Sequence, residues 1–394
     1  MKKENLLEGI VETDNAGAAV KTDLEKNTEK ECIVNKLPDE YSSREDFGKD
    51  VVKKNISGST LKLIAIGTML IDHIGATVVE RKMLRLPQLN WKLEFIDIVL
   101  RLIGRLGFPL FCFLLVEGFT HTRNRAKYIR RMILFGFVSE IPFDLAFSDR
   151  LIDLNYQNVF FTLTLGLLCM CCIDSISKKT FSGIGAAILK QISFFLAGFM
   201  AFWLYITSDV NSLVEGITGY AIHSKMVHSV LIKDIRFKLF GVKSIHIDKM
   251  YYVLPNFRWI LIGSIVGVVS VLILNIVLHN KDKAKVTSTA ISFIPTFALI
   301  VIGDLALTDY AAWGVFTVVC IYLLRRDNVK AMKVGCTTLT IMQFMECTAF
   351  LTVPIVKHYN GKRGLKLKYV FYLFYPVHLL ILEWICRMLL LRVY

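Results

Sequence analysis

The chemistry-bearing residues of this chain sit where a hydrocarbon environment should forbid them. The apolar run Leu61–Gly75 carries Lys62, Asp72 and His73. Lys62 and His73 are eleven residues apart, three helical turns plus about 20°. A helix therefore puts them on one face, about 16 Å apart along its axis. Asp72 is turned about 100° from His73 and points to a different neighbour. An imidazole with an ordinary pKa of about 6.5 suits a general base.

The next apolar run repeats the pattern. Arg101 and Arg105 lie one turn apart, Pro109 follows, and Glu117 and His121 form a further i,i+4 pair. Pro109 removes a backbone donor and kinks or breaks the helix, so the freed groups must face protein or a cavity. A third run carries Glu140 and Asp144 around Pro142, and Gln157 and Asn158 open a fourth. Further on come Glu346 and then Tyr375 and His378, just either side of Pro376. Each ionisable group inside a span costs several kcal/mol, so each is a candidate functional residue. Together they suit a polar chamber; they equally suit ion pairs and polar links between helices.

The elements that position these residues are membrane-spanning helices. The 394 residues are 54% hydrophobic, and the excess falls in runs such as Ile184–Thr207 and Trp259–Leu278. A crossing takes about 20 helical residues, and a helix is the open-chain form that satisfies its own backbone in lipid. Spans are expected near 61–80, 94–119, 130–148, 158–177, 184–208, 258–279, 289–307, 311–325, 333–356 and 369–391. This is an all-α polytopic membrane protein of about ten helices.

The first 57 residues hold 10 Lys/Arg against 13 Asp/Glu, a net −3, and read as a disordered charged tail with no apolar signal-peptide core. The overall +14 thus comes from the membrane part, as basic cytoplasmic loops produce. That explains the charge without nucleic acid, for which no basic soluble region exists. With the N-terminus inside, the inner loops are basic and an even span count puts the C-terminus inside too. Arg81–Lys92, with four basic residues, and Lys357–Lys368, with five, are exceptions on the outside. The insert at 209–257 mixes basic and apolar residues and suits an interfacial or extracytoplasmic segment. Eight of the nine cysteines follow the tail, mostly in apolar runs and without metal-ligand spacing, and are expected as buried thiols.

Seven strings, in this order, carry a resemblance: Ile71-Asp72-His73-Ile74-Gly75, Gly104-Arg105-Leu106-Gly107-Phe108-Pro109, Glu117-Gly118-Phe119-Thr120-His121-Thr122, Ser139-Glu140-Ile141-Pro142-Phe143-Asp144, Gln157-Asn158-Val159-Phe160-Phe161-Thr162, Tyr359-Asn360-Gly361-Lys362-Arg363-Gly364 and Phe374-Tyr375-Pro376-Val377-His378. From about residue 58 onward the chain resembles the TraX family. That resemblance implies a membrane acyltransferase using acetyl-CoA, with N-terminal acetylation of a pilin as the founding activity. Lys62 and His73 also match a basic residue, ten residues, then histidine, as in the wider integral-membrane acyltransferases, with Lys for the commoner Arg.

The expected scheme is then concrete. Lys62 with Arg123, Arg130 and Arg131 holds the phosphates of a cytoplasmic acyl-CoA. His73 deprotonates an amine or hydroxyl acceptor, and Arg105 stabilises the oxyanion or holds the acceptor. Asp72 or Glu117 orients the imidazole or balances Arg105. The acceptor chamber comprises Arg101, His121, Glu140, Asp144, Gln157, Asn158, Glu346, Tyr375 and His378; the acceptor is a peptide, a glycan or a lipid, and no metal is expected. The tail and the insert depart from a short family member and leave a pilin acceptor open. The competing reading is a proton-coupled transporter relaying through Asp72, His73, Glu117 and Glu140. The expected location is a bacterial cytoplasmic membrane.

Overall fold

The structure, a computed structural model, describes residues 55–88, 90–210, 253–365 and 368–389. Nearly all of the expected tail and of the 209–257 insert lie outside them. The described residues are helical throughout, with isolated bridges at Ile56–Tyr359 and Gln157–Thr308 and no strands.

Helix α1 (Gly58–Leu84) starts on a Ser57 cap whose hydroxyl accepts from the Thr60 amide at 3.3 Å. It widens into a π-turn at Gly75–Val79. Next come α2 (Trp91–Gly104) and α3 (Gly107–Thr120), separated at Arg105 and Leu106. That break falls at the fourth residue before Pro109, whose ring clashes with that carbonyl in a regular helix. The chain continues as α4 (Arg125–Ser148), α5 (Val159–Ile176), α6 (Gly183–Ile206), α7 (Val253–Val277), α8 (Lys283–Leu305) and α9 (Ala311–Leu323). Asn124, Asn158 and Asp282 cap α4, α5 and α8. Last come α10 (Asn328–Met342), a 3-10 turn (Phe344–Leu351), α11 (Thr352–Lys357) and α12 (Lys368–Met388).

Among the described residues, seven segments are long and apolar enough to cross a membrane; Gly58–Leu84 and Trp91–Thr120 are two of them. The core between helices is apolar, with Leu61, Leu110, Leu167, Met170, Ile300, Val318 and Leu379 all fully excluded from solvent. Lipid-facing sides stay apolar and exposed, as on Ile265, Leu272, Ile273 and Ile276 of α7.

Two features correct the sequence reading. First, 333–356 is not one crossing. It goes out along α10 and returns through the 3-10 turn and α11, with the Cys336 thiol 3.2 Å from the Ala349 carbonyl and 3.5 Å from the Thr352 hydroxyl. At its turn the Phe344 amide donates to Asp209 at 2.9 Å, just past the end of α6. Second, α12 runs parallel to α1. His73 pairs with His378 and Arg81 with Glu383 in the same order along both helices, and Ile56 pairs with Tyr359 ahead of them. The hairpin adds one reversal. Among the described residues, Gly58 and the end of α12 thus lie at opposite ends of the bundle, where the sequence reading expected them on one side.

The reversal also removes a charge anomaly. The Lys357–Lys368 loop packs on the start of α1: Gly58 donates to the Lys362 carbonyl at 2.8 Å and Asn360 to that of Ile56 at 2.9 Å. Its basic residues join Lys62 at one end of the bundle. Arg125, 2.6 Å from Asp174, lies at that end too, as does Arg325, stacked 4.0 Å over Tyr322. Arg81, expected in an outer loop, is instead inside α1, buried, and paired with Glu383 at 2.8 Å.

Candidate active site

His73 lies on α1 at the level of the π-turn, and α12 delivers its partner. Pro376 removes one backbone donor from α12, and two residues later the Nδ1 of His378 lies 2.7 Å from the Phe374 carbonyl. A carbonyl only accepts, so His378 Nδ1 carries the proton in the neutral ring and its Nε2 bears a lone pair. That Nε2 stands 2.7 Å from His73 Nδ1, which must then be the donor. The ring planes are 10° apart and the centroids 4.9 Å apart. The two imidazoles therefore meet edge to edge, and the free lone pair of the dyad is left on His73 Nε2. Phe147 and Tyr375 pack edge-on against His73, at 5.5 and 5.9 Å between centroids.

The other expected catalytic groups point elsewhere. Asp72 accepts from Arg101 at 2.8 Å, and Arg101 also reaches Glu80 at 3.7 Å. Gly104 makes this fit possible, because a Cβ there would lie 2.2 Å from that of Asp72. Arg105 meets Glu346 at 3.1 Å, with the Tyr310 hydroxyl against both. Glu117 accepts from the Tyr359 hydroxyl at 3.2 Å and pairs with exposed His121 at 3.5 Å. The imidazole partner is thus His378, not Asp72 or Glu117. Arg105 is balanced by Glu346, not by Glu117.

Around Tyr375, fully wrapped by His73, His378 and Phe160, the polar residues of α4 and α5 gather. Asn158 is fully buried; its side chain caps α5 at Phe160 and donates to the Gly136 carbonyl at 2.9 Å and to Glu140. Asp144 accepts from the Asp153 amide at 2.8 Å. Gln157 donates to the Asp153 carbonyl at 3.3 Å and its backbone pairs with the 306–310 loop. Buried oxygens of Asp72, Ser139, Glu140 and Asp144 have no hydrogen-bond partner. Buried acceptors of this kind are ordinarily met by water or by a ligand's N–H or O–H.

The expected donor residues line the basic end. Lys62 Nζ sits 5.3 Å from the Phe371 ring centre, and Arg131 lies 5.9 Å from that of Tyr128, beside Tyr372. Lys62 and Arg131 thus flank the start of α12 on its two sides. Arg123 and Arg130 are exposed. Arg125, from the same basic stretch, is engaged by Asp174.

Sequence reasoning missed the loop 306–310. Asp309 accepts from the Tyr156 hydroxyl at 2.7 Å, and its carbonyl takes the Thr162 hydroxyl. Leu307, Tyr310 and Ala311 adopt left-handed backbone with φ of 50°, 61° and 43°, strain that needs surrounding packing to persist. Tyr310 stacks on Phe108 at 3.8 Å. Burial pushes the Asp309 carboxyl up to about 6, with the Tyr156 hydrogen bond opposing. The chain offered no signal for this beyond an ordinary Thr-Asp-Tyr turn.

The family model described as TraX protein matches residues 57–205 and 189–386. A probable fimbrial assembly protein, FimC of serogroup H1 from Dichelobacter nodosus, is 39% identical over 123 residues, 29% of this chain and 46% of that protein. The chain thus spans about half the length of that curated relative. No solved structure matches.

Proposed function

The chain belongs to the TraX protein family, and from that premise we propose that it is a membrane-embedded acyltransferase. It moves an acetyl group from cytoplasmic acetyl-CoA to an amine or hydroxyl acceptor. The similarity to a fimbrial assembly protein favours a pilin-like peptide N-terminus as the acceptor. The positive-inside rule favours a cytoplasmic basic end, with Lys62 and Lys362, in a bacterial cytoplasmic membrane.

The observation that carries this reading is the dyad. Neutral His73 presents Nε2 as a base, its tautomer set through His378 and the Phe374 carbonyl. His73 Nε2 takes the proton of the acceptor N–H or O–H as that atom attacks the thioester carbonyl. The new amide or ester bond forms, the C–S bond breaks, and the CoA thiolate leaves with the proton returned from His73. Arg101, anchored by Asp72, the residue next to His73 in the chain, stabilises the oxyanion. Arg105 with Glu346 and Tyr310 keeps the broken α2–α3 turn in place. Lys62 and Arg131 suit the CoA phosphates at the rim, about three turns below His73. The unmatched oxygens near Tyr375 suit a donor such as an amine.

The test is thiol release by purified protein supplied with acetyl-CoA and a short peptide with a free N-terminus, with acetylated peptide followed by mass. His73→Ala should lower both by roughly 10²–10⁴-fold. Unchanged transfer in that variant overturns the reading. A carrier using the same buried groups frees no CoA and instead acidifies or alkalinises liposomes.

A further inference from the structure

A cavity of about 550 Å³ lies far in sequence and on different helices from His73. It sits between the start of α6, the end of α7 and the start of α8, which is the basic end of all three. Its walls are apolar at depth, with Ala186, Phe194 and Leu274, and its mouth carries Lys190, His279 and Lys283. No carboxylate lines it.

Three further observations fix what it would take. The cavity opens between helices whose neighbouring faces, Ile184, Ile188 and Ile192 on α6 and Ile273, Ile276 and Val277 on α7, are exposed apolar surface, so acyl chains are its neighbours. The N-terminus of α6 has no side-chain cap on Ser182, leaving the first amides and the positive helix end facing the mouth. Lys179 and Lys281 stand in the adjoining loops and Lys285 in the first turn of α8. Of the nearby acids, Asp174 is taken up by Arg125 and Lys178, and Asp282 has its carboxylate occupied in capping α8 at Ala284 and Lys285, at 3.0 and 3.2 Å.

We propose that this cavity is a binding site for an acidic phospholipid of the same leaflet. The phosphate meets Lys190, Lys283 and the α6 amides, and one acyl chain runs down against Phe194 and Leu274. The charge complementarity selects the anionic headgroup. The apolar floor distinguishes a lipid from a soluble phosphate, for which a basic surface without depth suffices. Asn275 and Gln191, hydrogen-bonded to each other at 2.7 Å across α6 and α7, hold the two walls together.

The experiment is native mass spectrometry of the delipidated full chain with phosphatidylglycerol or phosphatidylcholine added in equal amounts. Wild type should take up phosphatidylglycerol in preference, and Lys190→Gln with Lys283→Gln should weaken that uptake by about tenfold. Equal uptake of the two lipids by wild type overturns the proposal. So does undiminished phosphatidylglycerol uptake by the double variant, or displacement of the lipid by inorganic phosphate at matched concentration. If the double variant does not fold, Ala187→Trp, which fills the cavity from one wall, replaces it. Retained phosphatidylglycerol preference in that variant overturns the site equally. None of these residues takes part in the acyl-transfer scheme, so thiol release reports on the two proposals separately.

Discussion

His73 and His378, 305 positions apart in the chain, meet through Nδ1 and Nε2 at 2.7 Å. The contact assigns the His73 tautomer without any carboxylate. It makes His378 a positioning residue, since its own second nitrogen is tied to the Phe374 carbonyl. His73→Ala should lower kcat by roughly 10²–10⁴-fold, the usual contribution of a general base. His378→Ala should lower kcat by about 10²-fold and leave KM for acetyl-CoA nearly unchanged, because the base survives with its tautomer unset. His378→Gln, whose amide oxygen still accepts from His73 Nδ1, should recover part of the loss. Equal defects in the Ala and Gln variants would show that the contact serves packing alone.

Arg81 and Glu383 form a buried pair that ties α1 to α12, reinforced by Arg387 at 2.7 Å from Glu383 and 3.2 Å from Asp149. Arg81 also donates to the carbonyls of Leu145 and Ala146. Removing one member leaves a buried charge without its partner, a loss of about 3–5 kcal/mol in comparable sites. Arg81→Met should thus lower the thermal midpoint of the detergent-solubilised protein sharply. Arg81→Met combined with Glu383→Leu should regain much of it.

Gly104 is where α2 touches the Asp72 side chain. Gly104→Ala forces an added methyl into the Asp72 carboxylate group. Overpacking of this sort costs about 1–3 kcal/mol, and here it also displaces the Arg101 ion pair. Reduced activity with only a modest drop in thermal midpoint is expected, whereas Gly67→Ala, where a Cβ meets open space, should leave activity intact.

Much of the site was legible as types of residue. Ionisable groups in apolar runs are expensive wherever they sit, so Asp72, His73, Arg105, Glu140 and Glu346 stood out before any fold was known. Their pairing was not legible, because it depends on which helix faces which. Helical phase turned Asp72 away from His73 correctly, but nothing local says that His378 arrives beside it. The hairpin at 328–357 was hidden for a different reason. A single crossing and two half-length segments that turn back have the same apolar composition, and only tertiary contacts such as Cys336 with Thr352 distinguish them. Arg81 was misplaced because a basic residue near the end of a run reads as a loop until Glu383 is seen opposite.

Asp309 gives a pH prediction. Its folded carboxyl is raised to about 6 from an ordinary 3.8, so the folded state favours the protonated form. The stability this brings is fully present below about 3.8 and is lost as pH rises through about 6. Asp309→Asn should flatten the thermal midpoint between those limits. A midpoint that keeps its full pH dependence in the variant would assign the titration to another group.

The sharpest architectural prediction concerns sidedness. The parallel course of α1 and α12 places Lys362 with Ser57, Lys62 and Asn280 at one end, and Gln88 at the other. In a background stripped of reactive cysteines, single cysteines at Lys362 and Asn280 should react with a membrane-impermeant maleimide only after the cytoplasmic face is opened. A cysteine at Gln88 should react in intact cells. A topology with one crossing over 333–356 would put Lys362 with Gln88 instead. Labelling of Lys362→Cys in intact cells would restore that simpler count, and with it a C-terminus on the side of Ser57. The catalytic proposal depends on the outcome, because only the hairpin brings the basic loop to the entrance beside Lys62 and sends α12 past His73 in the direction that seats His378 against it.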